Sequence, residues 1–326
     1  MNRREFIALL SGAATGWPLV GLTQQPTTPV IGFLTTTKPY PPLINELRSG
    51  LAETGYYEGQ NVSIEYAWAE GHYDRLPALA AELVRRRVDV IVAAGGTNAG
   101  MAAKAATGTI PIVVLIGGDP VELGFAASFS HPGGNVTGVA QLVVAAEQKR
   151  LELLHELVPT AKTIAYLMNP AGANAQRQVQ DAVSQEHALG VKLSVLRANS
   201  EGDFAVAFAN IAQDRIGALV IGADPFFFVQ RDELVALSMR HAVPTMYFFR
   251  EFATAGGLIS YGTRLIDGYH QLGVYTGKVL RGAKPADMPI TQQSEKIELL
   301  INLKTAKALG LDVPLSLLTR ADELIE

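Results

Sequence analysis

The sequence of 326 residues contains no cysteine. This absence excludes disulfide-bonded scaffolds, thiolate metal sites, iron–sulfur clusters and cysteine nucleophiles, as well as lipid attachment through an N-terminal cysteine. Charged residues make up only 18%, with 27 basic against 31 acidic side chains and no basic block. A mildly acidic chain of this kind is a poor candidate for binding nucleic acid, which requires neutralisation of phosphates. Hydrophobic residues reach 48%, which excludes a disordered chain.

Signatures of catalysis are also scarce. The six histidines include no pair three or four residues apart and no His-Glu-x-x-His pattern, so a compact zinc site is not predicted. No Gly-x-Ser-x-Gly elbow occurs, and the segment 273–278 lacks one spacer residue of a phosphate loop. No Gly-x-Gly-x-x-Gly follows the first apolar strand, where three threonines stand instead. We therefore predict no catalytic residues, no metal site and no cofactor.

One apolar run, residues 8–22, precedes the rest of the chain. Gly12, Gly16 and Pro18 interrupt its 15 residues, so it is too short and broken for a bilayer helix of about 20 residues. Arg3 and Arg4 stand before it, and Arg-Arg-x-Phe resembles the twin-arginine export signal of bacteria. The alternative is an ordinary amphipathic first helix. We predict a removable signal over residues 1–23, cut near Thr23, and a periplasmic mature protein.

After Pro29 the chain alternates short apolar runs with helical patterns. Continuous runs such as Val88–Ala93 and Ile112–Ile116 predict strands buried on both faces, and the segments between them have helical spacing. A weak internal repeat relates the run ending in Asp119 and Pro120 to the run ending in Asp224 and Pro225. At about 150 residues per domain the length fits two units. The predicted fold is α/β, with two Rossmann-like lobes, parallel sheets and a cleft between the lobes.

Ligands of open parallel sheets bind beyond the carboxyl ends of the strands, so the loops after the strands are the candidate site. Gly96 and Thr97 end a strand and begin a helix, where backbone N–H groups hold an anion or simply form a tight turn. Asp119 and Asp224 follow strands, where they accept an ammonium group or cap a turn before proline. Asn169 also ends a strand before a proline, and it joins the candidates.

Aromatic residues cluster beside the loops of the second half. Most of the rings in 226–228 and 247–249 are expected in the core, but Tyr247 and Tyr261 lie where strands end. Arg250 is a candidate partner for a carboxylate, the alternative being a contact near Glu251. Tyr247, Tyr261 and Arg250 complete the set of candidate ligand-binding residues that the pattern of strands and loops suggests.

Several motifs resemble a bacterial family of ABC-transporter substrate-binding proteins that includes members binding tryptophan and other aromatic amino acids. The matching segments are Gly117-Gly118-Asp119-Pro120-Val121-Glu122-Leu123-Gly124, Pro132-Gly133-Gly134-Asn135-Val136-Thr137-Gly138-Val139, Gly256-Gly257-Leu258-Ile259-Ser260-Tyr261-Gly262, Gly282-Ala283-Lys284-Pro285-Ala286-Asp287-Met288-Pro289, Ile301-Asn302-Leu303-Lys304-Thr305-Ala306-Lys307-Ala308-Leu309-Gly310-Leu311 and Leu317-Leu318-Thr319-Arg320-Ala321-Asp322-Glu323. Together they extend over nearly all of the mature chain.

The resemblance implies a type I periplasmic-binding-protein architecture whose chain crosses between lobes near Leu142, Arg264 and Ile290. The expected division is residues 29–142 with 266–289 in the N-terminal lobe, and 143–265 with 290–326 in the C-terminal lobe. The helix 267–280 returns to the first lobe in this scheme. The expected partners are a small-molecule ligand and the membrane permease of an ABC importer, and the expected state is a monomer.

An amino-acid ligand would, by the same resemblance, place its carboxylate on Thr36, Thr37, Gly96 or Thr97. Its ammonium would lie on Asp119 or Asp224, and its side chain among Tyr247, Phe248 and Tyr261. Two other functions stay open at this point. One is a two-lobed enzyme of the glycosyltransferase or epimerase type, and the other is the ligand-sensing domain of a regulator.

Overall fold

The computed structural model describes residues 28–141, 143–293 and 297–326. Its described residues form two β-sheets, each covered by helices. The predicted signal over residues 1–23 lies outside the described residues, and so does Leu142 at the first predicted crossing. The two sheets form two α/β lobes, which confirms the predicted fold class.

The first lobe is built on a six-stranded sheet of order β11-β5-β4-β3-β1-β2. Its consecutive elements are β1 (Val30–Thr35), α1 (Pro41–Glu53), β2 (Ser63–Trp68), α2 (Leu76–Arg85), β3 (Val90–Ala94), α3 (Thr97–Ala106), β4 (Ile112–Ile116) and β5 (Val136–Gln141). Every residue of β3 and β4 is buried, as the continuous apolar runs predict. All neighbouring strands of this sheet are parallel, so their carboxyl ends share one edge.

The second lobe has a seven-stranded sheet of order β13-β12-β10-β9-β8-β6-β7. Its first group of elements is α4 (Glu147–Leu157), β6 (Thr163–Met168), α5 (Ala175–Val183), α6 (Glu186–Leu189), β7 (Lys192–Arg197), α7 (Glu201–Gln213), β8 (Ala218–Ile221), α8 (Pro225–Val229), α9 (Arg231–Arg240), β9 (Thr245–Tyr247), α10 (Arg250–Thr254) and β10 (Ile259–Thr263). The helical segment that follows β6 is divided into α5 and α6, and the three phenylalanines at 226–228 lie in the short helix α8.

The remaining elements return to both lobes. They are α11 (Leu265–Leu280), β11 (Thr291–Gln293), β12 (Ile297–Asn302), α12 (Leu303–Ala308), α13 (Leu315–Leu318) and β13 (Glu323–Ile325). Helix α11 packs on the first lobe against α1, where Gly50 and Gly273 let the two backbones touch. Strand β12 pairs antiparallel with β10 and is the exception to the parallel pattern.

The third crossing differs from the expectation. Strand β11 pairs in parallel with β5, so residues 291–293 belong to the first sheet and the chain crosses after Gln293 rather than near Ile290. The Gln141 amide donates to the Gln293 side chain at 3.1 Å and to the Thr263 hydroxyl at 3.4 Å. These three residues end β5, β10 and β11, so the three connections between the lobes meet at one point.

Candidate ligand-binding site

A cavity lies between the two lobes, at the carboxyl ends of their parallel strands. The first lobe contributes the loops after β1, β3 and β4, and the second contributes the loops after β6, β8 and β9. Helix α11 adds Leu265 and Tyr269. A site between two lobes at the carboxyl ends of parallel strands is where small-molecule ligands of such folds bind.

The wall from the first lobe is the start of helix α3. Gly95 and Gly96 have φ angles of +70° and +102°, so the chain turns sharply from β3 into the helix in a conformation that favours glycine. The Thr97 hydroxyl oxygen accepts from the Gly117 N–H at 3.2 Å. Because the first N–H groups of a helix have no partner within it, this wall presents donors to the cavity. An anionic group of a ligand is favoured there.

The opposite wall carries Asp224, which is 7% exposed and begins helix α8. Its Oδ1 accepts from the Tyr73 hydroxyl at 2.6 Å, the Asn169 amide at 2.8 Å and the Phe226 N–H at 3.0 Å. Burial raises the pKa of Asp224 to about 6, although these three donors act in the opposite direction. Oδ2 accepts no hydrogen bond from the described residues, so one carboxylate oxygen is left for a ligand.

Aromatic rings form the apolar part of the cavity. Phe228 and Phe249 contact edge-to-face with centroids 5.9 Å apart, and Phe248 lies 4.9 Å from Phe249. Leu115 and Tyr269 approach from the first lobe. Among the described residues that line the cavity, Asp224 is the only one with a charged side chain, and there is no lysine, arginine or histidine.

The two lobes touch across the cavity. The Asn98 amide donates to the Ala171 carbonyl at 2.9 Å and its oxygen accepts from the Ala173 N–H at 2.9 Å. Asn174 of the second lobe donates to the Thr97 hydroxyl at 3.0 Å. These bonds join a helix start in one lobe to a helix start in the other, so the structure is that of a closed cleft.

Comparisons with known proteins agree with this two-lobed architecture. The sequence model of the family described as "ABC transporter substrate binding protein" matches residues 43–325. The chain belongs to this family. Since the family is one of solute-binding proteins, its members bind ligands rather than transform them, and this favours solute binding over the enzyme and regulator alternatives.

Individual relatives agree with this membership. A tyrosine-binding protein of Clostridioides difficile is 29% identical over 273 residues, which are 80% of this chain and 74% of that protein. The crystal structure of an ABC domain of Streptococcus pneumonia in complex with L-Trp has a TM-score of 0.81 at 27% identity, over 92% of this chain and 100% of that one. A conserved domain protein of Vibrio cholerae has a TM-score of 0.82 at 26% identity, over 91% and 99% of the two chains.

Five of the residues expected in the ligand site line the cavity, namely Thr37, Gly96, Thr97, Asp224 and Phe248. Two others lie behind them. The Thr36 hydroxyl donates to the Gly95 carbonyl and supports the turn into α3, while Asn169 donates to Asp224 from a buried position.

Asp119 and Arg250 are outside the cavity. The Asp119 carboxylate is exposed and accepts from the N–H groups of Val121 at 2.7 Å and Glu122 at 3.2 Å, so it stabilises a turn, as the alternative interpretation had it. Arg250 is paired with Glu298 of β12 and Glu323 of β13, each at 2.7 Å. The expectation that these two residues contact a ligand is therefore not supported by their placement.

The two candidate tyrosines do not line the cavity. Tyr247 is 0% exposed and stacks on Phe252 with centroids 4.8 Å apart, and Tyr261 packs beside the second hydrophobic cluster. Successive side chains of a strand point to opposite faces, so a position at a strand end does not ensure that a side chain faces the cavity. Their neighbours Phe248 and Phe249 face the cavity instead.

Sequence reasoning missed several polar groups of the cavity. Asn174 and Gln178 lie one turn apart on α5, and the Gln178 amide donates to the Ala223 carbonyl at 2.8 Å, beside Asp224. The available signal was their position at the start of a helix that follows a strand-end loop. Tyr269 had no local signal, because α11 reaches the cavity only through the crossing of the chain between lobes.

None of the helices in the described part of the chain is long and apolar enough to span a bilayer.

Proposed function

We propose that this protein binds an α-amino acid with an aromatic side chain in the cavity between its lobes and delivers it to an ABC importer. One observation supports an aromatic α-amino acid as the ligand. Asp224, whose Oδ2 accepts no hydrogen bond from the described residues, and the N-terminus of α3 lie on facing walls of one cavity that also has an aromatic surface. A Cβ atom added at Gly96 would be 2.6 Å from Pro225 Cγ, so the two walls are in direct contact.

This arrangement suits the two charged groups of an α-amino acid, which are close together. The ligand ammonium pairs with Asp224 Oδ2 through a charge-assisted hydrogen bond. The ligand carboxylate accepts from the N–H groups at the start of α3, since no cationic side chain is present among the described lining residues. The side chain packs on Phe228, Phe248 and Phe249.

The relatives support the same ligand class, since one is named for tyrosine and another was crystallised with L-Trp. Closure of the lobes over the ligand supplies the contacts that only the closed state makes, as a carrier requires. The protein acts as a monomer in the periplasm, exported by the signal over residues 1–23, and its partner is the permease of the importer. The family membership supports this setting.

Calorimetric titration of the mature protein tests the ligand class. L-Trp, L-Tyr and L-Phe are compared with tryptamine, which lacks the carboxylate, and indole-3-propionate, which lacks the ammonium. Each truncated compound should bind at least tenfold more weakly than L-Trp, because each leaves one buried group of the site unpaired. Asp224→Asn should weaken binding of the amino acids, while the matched control Asp119→Asn should not. Equal binding of tryptamine and L-Trp would reject this assignment.

Uptake of labelled amino acid tests the importer role. Cells without the gene should lose part of their high-affinity uptake of the bound amino acid, and the wild-type gene should restore it. The gene with Asp224→Asn should fail to restore uptake although the protein is present in the periplasm at the same level. Full uptake in cells that lack the protein would refute the transport role. The proposed ligand class would not be affected by that result.

A further inference from the structure

Tyr73 reaches Asp224 from the opposite lobe. It begins a 3₁₀ turn (Tyr73–Arg75) that follows β2 at the carboxyl edge of the first sheet. The loop before it is bound to the loop after β1, since the Ala69 N–H donates to the Thr35 carbonyl at 2.9 Å and the Gly71 N–H donates to the Thr36 carbonyl at 2.7 Å. The first lobe therefore holds Tyr73 in place independently of the second.

The contact itself crosses the cleft. The Tyr73 hydroxyl donates to Asp224 Oδ1 at 2.6 Å and accepts from the Phe226 N–H at 3.2 Å. The other two donors to this oxygen, Asn169 and the Phe226 N–H, belong to the same lobe as Asp224 and move with it. Among the described residues, Tyr73 is thus the one hydrogen-bond partner of Asp224 that separates from it when the lobes open.

We propose that Tyr73 is a positioning residue of the ligand site, which binds Oδ1 of Asp224 on closure and so directs Oδ2 toward the ammonium group of the ligand. The inference rests on the proposed function, and it adds a physical connection between recognition of the ligand ammonium and closure of the two lobes. Opening the cleft removes the phenol from Asp224 and weakens the hold on the ammonium at the same time. Ligand release then follows from opening without any change within the second lobe.

The electrostatic setting is consistent with this role. The Tyr73 hydrogen bond favours the charged form of Asp224 and lowers its pKa, whereas burial raises it. Burial and the neighbouring carboxylate raise the pKa of Tyr73 well above its usual value, so the phenol stays a neutral donor. On the same turn His72, Asp74 and Arg75 are exposed, and on the second lobe Glu147 faces the Ala223 N–H beside Asp224.

Tyr73→Phe tests the inference, with Tyr66→Phe as the matched control. Tyr66 also belongs to the first lobe, but its hydroxyl binds Glu58 at 3.2 Å at the sheet edge, away from the cavity. In Tyr73→Phe the affinity for L-Trp or L-Tyr should fall about tenfold, the loss expected for a hydrogen bond to a charged group. The acid midpoint of binding should move to higher pH, and the affinity for indole-3-propionate should change little. Equal losses for both kinds of ligand would mean that Tyr73 only holds the lobes together, which overturns the proposal.

A measurement without ligand separates this inference from the ligand class. Because an open cleft separates Tyr73 from Asp224, the lobes are held closed by a disulfide between Asn98→Cys and Ala173→Cys, two positions in contact across the cleft of a chain without other cysteines. In this closed background the carboxyl group of Asp224 is titrated by ¹³C NMR in the otherwise wild-type protein, Tyr73→Phe and Tyr66→Phe. A higher Asp224 pKa in Tyr73→Phe alone supports the positioning role even if no aromatic amino acid binds, in which case the proposed ligand class fails by itself. An Asp224 pKa that is the same in all three proteins overturns the positioning role, whatever the ligand is.

Discussion

Glu147 and Arg150 form an ion pair of 2.7 Å within helix α4, and both side chains are 0% exposed. Arg150 also donates to the carbonyl groups of Val143 and Tyr261. Val143 comes directly after the first crossing, and Tyr261 lies in the strand that precedes the second. The Glu147 carboxylate accepts from the Ala223 N–H at 3.4 Å, next to Asp224. One buried pair thus joins two hinge connections to the loop that carries the ligand-site carboxylate.

Loss of Arg150 should destabilise the second lobe strongly. Arg150→Met leaves Glu147 as an unpaired buried charge, which typically costs about 3–5 kcal/mol. Denaturant unfolding of the ligand-free protein measures the change. The control Arg177→Met removes an exposed arginine paired with Asp181 and should leave the free energy of unfolding almost unchanged. Similar losses in the two variants would contradict the structural role of the buried pair.

Acidification should affect stability and ligand binding in opposite directions through Asp224. Its pKa is raised to about 6 in the folded protein, so below pH 6 the folded state takes up a proton that the unfolded chain binds only nearer pH 4. The free energy of unfolding of the ligand-free wild type, compared with that of Asp224→Asn, should therefore rise as the pH falls from 7 to 5. The rise should be at most about 1.4 kcal/mol per pH unit. Thermal unfolding across this range provides the comparison.

Binding of the amino acid should show the reverse dependence. Protonation removes the charge that pairs with the ligand ammonium, so affinity should begin to fall as the pH drops through about 6. Calorimetry at pH 7.5, 6 and 5 gives this profile. An affinity that stays constant over the range would argue against Asp224 as the ammonium partner.

Closure should be sensitive to a single methyl group at Gly96. The φ angle of +102° disfavours alanine, and its Cβ would be 2.6 Å from Pro225 Cγ across the cleft. Gly282→Ala is the control, because Gly282 has a φ of +95° with nothing within 4 Å of the added atom. Both variants should lose about 1–3 kcal/mol of stability from backbone strain. Only Gly96→Ala should also lose ligand affinity, by at least about tenfold, and retention of wild-type affinity would show that the walls do not meet in the bound state.

Export should depend on the two N-terminal arginines. Replacing Arg3 and Arg4 together by lysine keeps the charge but removes the twin-arginine signature. The precursor should then stay in the cytoplasm, whereas Arg48→Lys in the mature part should be exported normally. Cell fractionation and the intact mass of the periplasmic protein, expected to begin near Thr23, give the result. Normal export of the twin-lysine protein would point to another secretion route.

The strand and helix pattern was largely readable from local sequence. Ile112–Ile116 is a strand with the predicted bounds, and most other runs shift by one or two residues. Strand β5 gave no clear signal because Gly138, with φ of +142°, interrupts its apolar pattern.

The lining of the cavity could be predicted where it depends on local chain geometry. Thr37, Gly96, Thr97 and Asp224 lie in loops that follow parallel strands, and such loops must lie at one edge of a sheet. Tyr73 and Asn174 could not be found in this way, because each acts on a residue more than 70 positions away in the other lobe. Asp119 shows the reverse error, since its loop is at the correct edge but its carboxylate is used by the backbone of its own turn.

Local sequence was enough to identify an α/β chain with buried parallel strands, a mildly acidic composition without cysteine, and a set of glycine-, threonine- and aspartate-bearing loops. Those properties follow from local preferences and hydrophobic patterning. Which loops face one another is visible only in the folded chain, because the chain crosses three times between lobes and Gln141, Thr263 and Gln293 bring the crossings together. The crossings set Asp224 opposite the start of α3 and bring Tyr73 to it, and no local pattern encodes a contact between residues of two different sheets.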